Sequence, residues 1–138
     1  MVVAGKEPSL EIKKKIAKKE NWELIENPGD IEMQRLIQQA HICFIPTFQS
    51  TGLKLKLLSS LFSGRFVITN SQMVNNTGLE QLCIIGNSAE ELNSLIRQTM
   101  KKDFTQNEIE KRESVINENF SNKKVAKNLL RIITDGEK

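Results

Sequence analysis

Ser50-Thr-Gly-Leu-Lys-Leu-Lys-Leu-Leu-Ser-Ser-Leu-Phe-Ser-Gly-Arg65 is the stretch on which the fold of this chain turns. It follows an apolar run that ends at Pro46 and precedes a second one, Phe66-Val-Ile-Thr69. Small residues open it, Leu53, Leu57, Leu58, Leu61 and Phe62 recur at helical spacing along it, and Gly64 closes it. Strand, helix and strand in that order predict a parallel sheet with the start of the helix at the carboxyl edge. In such sheets ligands bind outside the strand ends, beside helix N-termini. Lys54 and Lys56 fall in the first turn, where the helix dipole disfavours cations. An anion docked on the same N-terminus removes that conflict, because amide and ammonium groups then both point at it. The plainer alternative is that lysine is a good helix former with a solvated head.

The same alternation extends in both directions. Upstream, Val2-Ala4 reads as a strand ending at Gly5, with a helix capped by Ser9 running to about Lys19. Trp22-Glu-Leu-Ile-Glu26 alternates as a strand does, Asn27-Pro28-Gly29 is a turn, and Asp30 is placed to cap a helix over Ile31–Ala40. Ile42-Cys-Phe-Ile45 is a continuous apolar run, the pattern of a strand buried on both faces. Downstream, Asn70 to Gly78 reads as a long polar loop, and Leu82–Ile85 as a short last strand. Ser88 caps a helix reaching Met100, with Leu92, Leu95, Ile96 and Met100 apolar. Thr105 and Glu108 form a capping-box pattern for a helix to about Asn119. A final helix is predicted from Ser121, with Val125, Ala126, Leu129, Leu130, Ile132 and Ile133 apolar. The fold class is therefore α/β, with a mostly parallel sheet of about five strands flanked by helices and two helices at the C-terminal end. Right-handed crossovers bring the loops after the strands to one edge.

Composition narrows the function without naming it. A chain of 138 residues, 38% apolar, suits one domain with a core. Twenty basic against seventeen acidic residues leave +3, too mild to require a polyanion. Lys13, Lys14, Lys15, Lys18 and Lys19 cluster on the first helix beside Leu10, Ile12, Ile16 and Ala17. A solvated helix face accounts for them, and the other reading is contact with an anionic membrane or nucleic acid. Neither interleaved aromatics nor a nucleic-acid motif accompanies them, so no nucleic-acid partner is expected. Cys43 and Cys83 sit alone in apolar runs, as reduced core thiols of a cytoplasmic protein do. No apolar segment is long enough to span a bilayer.

Known catalytic and cofactor motifs are missing. There is no G-x-x-x-x-G-K-[ST] loop and no G-x-G-x-x-G after the first strand, so a standard nucleotide fingerprint fails. The nucleophile elbow G-x-S-x-G is also absent. His41, the single histidine, falls at a helix-to-strand junction opposite the expected site and reads as structural. No metal site is expected.

The order Pro46-x5-Gly52-Leu-Lys54-Leu-Lys56-Leu-Leu-x5-Gly64-Arg-Phe-Val-Ile-Thr resembles the nucleotide-sugar half of retaining GT-B glycosyltransferases (glycosyl transferases group 1). In one branch of that family the segment reads G-x-K-x-K-x-x-E-A-x-A-x-G-x-P-V-V. Gly52, Lys54, Lys56 and Gly64 fall on it at the right spacing, and Phe66-Val67-Ile68 falls near P-V-V. Val2-Val3-Ala4-Gly5 resembles the family's strand ending in glycine, and Asn27-Pro28-Gly29-Asp30 its loop before the unit of helix, strand and proline. Thr77-Gly78-Leu79-Glu80 resembles the loop near the donor, and Phe120-Ser121 begins the terminal helix.

The resemblance implies a Rossmann-like donor-binding domain over residues 1–138, the C-terminal half of a two-domain enzyme. Its sugar donor would be a UDP- or GDP-sugar, with no separate cofactor. The acceptor would be a glycan or lipid-linked molecule held by an N-terminal domain that this chain does not contain. Thr51, Gly52, Lys54 and Lys56 would face the donor diphosphate. Gln49, Ser50, Ser59, Thr77 and Gly78 would reach the sugar or ribose, and Asn27 and Pro28 the base. Ser59 stands where the family carries the glutamate that holds the ribose hydroxyls, and Gln49 near its earlier acidic position. The opening Met-Val-Val-Ala-Gly starts inside a strand, so one earlier strand and helix of the family pattern are expected to be missing. Transfer by this chain alone is not expected; the full-length enzyme would act in polysaccharide synthesis in the cytoplasm, at the inner face of the membrane. A domain that kept this fold but lost its donor site, acting through protein contacts, is the competing expectation. The oligomeric state stays open.

Overall fold

A computed structural model describes residues 1–48, 54–120 and 126. The chain divides into two compact units, Met1–Ala40 and His41–Lys138, each built of parallel strands and helices in alternation. The final helix predicted from Ser121 lies outside the described residues, apart from Ala126, which is helical and exposed.

The first unit runs β1 (Val2–Gly5), α1 (Leu10–Ala17), β2 (Glu23–Glu26) and α2 (Asp30–Gln39). β1 and β2 pair in parallel from Val2 opposite Glu23 to Gly5 opposite Glu26. Ser9 caps α1 as expected, its hydroxyl accepting the Ile12 N–H at 3.3 Å. α2 departs from expectation. Gly29, not Asp30, takes the cap position, and Asp30 begins the helix, where its charge still favours the positive end of the dipole. Ile16 is the one buried apolar side chain among the described residues of this unit.

The second unit holds β3 (Ile42–Phe44), α3 (Leu55–Ser63), β4 (Phe66–Thr69), α4 (Ser71–Val74), a 3-10 turn (Glu80–Leu82), β5 (Ile84–Ile85), α5 (Ala89–Thr99) and α6 (Gln106–Phe120). Its strands lie in the order β3-β4-β5, again all parallel. The five expected strands are thus present, but in sheets of two and three rather than in one. The strands of each unit are joined through its own helices, and each ladder closes within its unit.

β4 is the strand buried on both faces, with all four of its residues inside. β3 was expected to be so as well, but as an edge strand it buries Cys43 and leaves Phe44 43% exposed. Leu57, Ser60 and Leu61 of α3 pack inward at i, i+3 and i+4, and Leu57 and Leu61 are sealed from solvent. Each such leucine contributes about 1.5–3 kcal/mol of transfer free energy. Phe62, read as part of that face, turns 100° past Leu61 on the wheel and is exposed, as is Met100 at the end of α5. The expected loop after β4 contains one short helix, α4, whose Met73 and Val74 are buried.

Ser88 caps α5 as expected, and Glu91 completes a capping box with it that the sequence reading did not name. Ahead of α6, the Glu108 carboxylate accepts the Thr105 N–H at 2.7 Å. The far end of the unit is tied by Arg112. Its guanidinium donates to the carbonyls of Leu61 (2.9 Å), Gly64 (2.7 Å) and Arg65 around the end of α3, and lies 4.9 Å over the Phe104 ring.

Candidate functional site

The expected site falls at the carboxyl edge of β3-β4-β5. There α3 begins without a side-chain cap and without an acidic residue in its first turn. Lys54 holds the cap position and Lys56 is the second residue of the helix. Lys56 is exposed and Lys54 half-buried. Two cations therefore stand at the positive end of a nine-residue helix, in the arrangement that an anion would relieve. Gln49, Ser50, Thr51 and Gly52, the other members expected here, lie outside the described residues.

The edge itself is fastened by side chains that sequence reading passed over. The Thr47 N–H donates to Asn70 Oδ1 at 3.1 Å, and Asn70 Nδ2 donates back to the Thr47 carbonyl at 2.7 Å. One buried amide thus joins the exit of β3 to the exit of β4. The Thr69 hydroxyl, also buried, donates to the Ile45 carbonyl at 2.9 Å. Ser71 N–H donates to Asn87 Oδ1 at 3.0 Å, bringing the exit of β5 to the same edge. Asparagine and threonine at strand ends suggest turn chemistry in a sequence, but nothing local says that their partners lie some twenty residues away.

Thr77 and Gly78 follow β4 and α4 in this unit. The Thr77 hydroxyl is committed to its own turn, donating to the Val74 carbonyl at 2.6 Å and accepting the Leu79 N–H at 3.2 Å. Gly78 has φ +68°, a left-handed conformation that glycine takes without a Cβ penalty. Ser59 is exposed, near the middle of α3. Its neighbour Ser60 is the buried serine, hydrogen-bonded to the Cys43 thiol.

Asn27 and Pro28 belong to Met1–Ala40, at the exits of β1 and β2. Asn27 is left-handed (φ +51°), a region in which asparagine is enriched. Its N–H donates to the Gly5 carbonyl at 2.9 Å, and its Oδ1 accepts the Glu7 N–H at 2.8 Å. These bonds lock the two turns of this unit together.

Other chemistry is poorly provided for. His41 Nε2 lies 3.1 Å from the Thr99 carbonyl, and its ring meets Phe66 edge-on at 5.4 Å, a packing role as expected. Burial pushes the Cys83 thiol up to about 11 and raises Cys43 likewise, so neither supplies a thiolate nucleophile near neutrality. Among the described residues no cluster of three or more His, Cys, Asp or Glu side chains could hold a metal ion. Two cavities, of about 190 and 560 Å³, lie against α6 and are lined in part by Phe104 and Arg112. Neither is lined by Lys54, Lys56, Thr77 or Gly78. The Arg112 guanidinium at both is already engaged by backbone carbonyls, which makes it a brace rather than a ligand group. The start of α3 is the better candidate on chemical grounds, because Lys54 and Lys56 stand at the N-terminal end of a helix whose first turn carries no acidic residue.

No protein-family model, curated protein or solved structure matches this chain.

Proposed function

We propose that this chain is the donor-binding domain of a glycosyltransferase that moves a sugar from a UDP- or GDP-sugar to a glycan or lipid-linked acceptor. The observation that carries the reading is the pair Lys54 and Lys56 at the uncapped start of α3, on the carboxyl edge of a parallel sheet. The donor diphosphate would dock on the first-turn amides, with both ammonium groups beside it. As the glycosidic bond to the donor breaks, negative charge grows on the departing diphosphate, and fixed positive charge there lowers the barrier. The Thr47–Asn70 clamp would hold that edge in one geometry, so little reorganisation is left for the reaction step.

Parallel strands alternating with helices within each unit support this reading. The acceptor would be brought by a further domain, and the full-length protein would work in the cytoplasm on cell-envelope polysaccharide. A second reading, a domain that kept the fold and binds proteins instead, is favoured by Ser59, a neutral side chain where the family has its ribose-holding carboxylate. Assaying the full-length protein for sugar transfer, or for nucleotide-sugar hydrolysis, separates the two. Transfer excludes the interaction domain, while the absence of nucleotide binding by the full-length protein excludes the enzyme.

A further inference from the structure

α1 presents to solvent a ridge that the proposed donor site does not use. Leu10, Lys14 and Lys18 follow one another at i, i+4 and i+8, on the side of the helix opposite buried Ile16. Leu10 is 74% exposed, although it is a large apolar side chain. Beside the ridge, Lys15 pairs with Glu11 at 2.6 Å, and Lys13 is bound to Glu26. Among the described residues Lys14, Lys18 and Lys19 form no ion pair. Three residues beyond Lys19 stands Trp22, 43% exposed, its N–H on the Lys19 carbonyl at 3.2 Å.

We infer that this ridge docks on an anionic lipid surface, with Lys14, Lys18 and Lys19 at the headgroups and Leu10 and Trp22 entering the interface. Lysine ammonium groups are attracted to anionic lipid, and tryptophan settles at headgroup depth because its ring is apolar with one polar edge. The exposed apolar residues decide between lipid and nucleic acid. A phosphate backbone attracts lysines equally well but gives no reason for an exposed leucine at the head of their row. Folded helices place cations in the last turn for the dipole alone, and that explains Lys14 and Lys15 but not Leu10.

Trp22 is the single tryptophan of a chain without tyrosine, so its fluorescence reports this surface directly. The chain is titrated with vesicles of phosphatidylcholine mixed in equal parts with phosphatidylglycerol, and with phosphatidylcholine alone. A blue shift of Trp22 emission and co-sedimentation with the anionic vesicles only, both fading as salt is raised, are expected. Neutralising the ridge in Lys14→Ala/Lys18→Ala/Lys19→Ala weakens binding about 100-fold, at about fivefold per lysine. The matched Lys→Arg triple variant retains binding, which separates charge from folding. Circular dichroism confirms that both variants are folded. No shift with anionic vesicles, an equal shift with neutral ones, or tighter binding to a single-stranded RNA oligonucleotide would overturn the inference.

Discussion

Replacing Arg112 tests the account of how the second unit is held. Its guanidinium satisfies three carbonyls, those of Leu61, Gly64 and Arg65, where α3 ends. Leu61 and Gly64 are buried, whereas Arg65 is exposed and its carbonyl can turn to water. In Arg112→Ala the two buried acceptors lose their partner, at about 1–3 kcal/mol each. Losing the stack on Phe104 adds about 0.5–1 kcal/mol. Against this stands relief of the guanidinium's own burial, which lowers its pKa from the ordinary value. The net loss should be about 3–4 kcal/mol, a large share of the 5–15 kcal/mol typical of a folded domain. Arg112→Lys should recover less than half, since one ammonium cannot span three carbonyls as the planar fork does. Urea unfolding followed by circular dichroism gives both numbers. If Arg112→Ala stays within about 0.5 kcal/mol of wild type, the range of an ordinary surface change, the bracing role is wrong.

Two further outcomes rest on packing and on titration. A Cβ at Gly86 would stand 2.9 Å from Leu95 Cδ1 and 3.3 Å from the Leu92 backbone nitrogen, so Gly86→Ala should cost about 1–3 kcal/mol in the same assay. Because burial raises the folded-state pKa of Cys83 from 9.0 to about 11, the unfolded chain releases that proton first. Its contribution is therefore complete below pH 9 and is lost as pH rises from about 9 to about 11. Melting curves through that window should fall less steeply in Cys83→Ala than in wild type.

Sequence reading reached the features whose causes are local. The Ser88 and Ser9 caps, the Thr105–Glu108 pair and the apolar run of β4 were each legible, because partner and signal lie within a few residues. So were the α/β class and the place of Lys54 and Lys56 at the start of α3. What escaped depends on distant partners. Arg112 sits in the charged run Glu110-Lys111-Arg112-Glu113 and looks like one more solvated cation, yet its acceptors lie 47 to 51 residues earlier. Asn70 in a polar stretch gave no sign of its bond to Thr47. Phe44 and Phe62 were read as buried from their apolar neighbours, whereas strand position and helical phase turned them outward. The division of five strands into two ladders was also invisible, since strand order depends on pairings that periodicity does not encode.

Calorimetric titration of the full-length protein with UDP, GDP and their sugars, in wild type and in Lys54→Ala/Lys56→Ala, bears most directly on the donor-site reading. If each ammonium contributes about 1.4 kcal/mol against a diphosphate, the double variant binds about 100-fold more weakly. Its fold stays intact, because Lys56 is exposed and Lys54 half-buried at a helix end. Binding of one nucleotide series by wild type, weakened to that degree in the variant, is the predicted result. Unchanged affinity in the variant, or no binding of any nucleotide to the full-length protein, would contradict it.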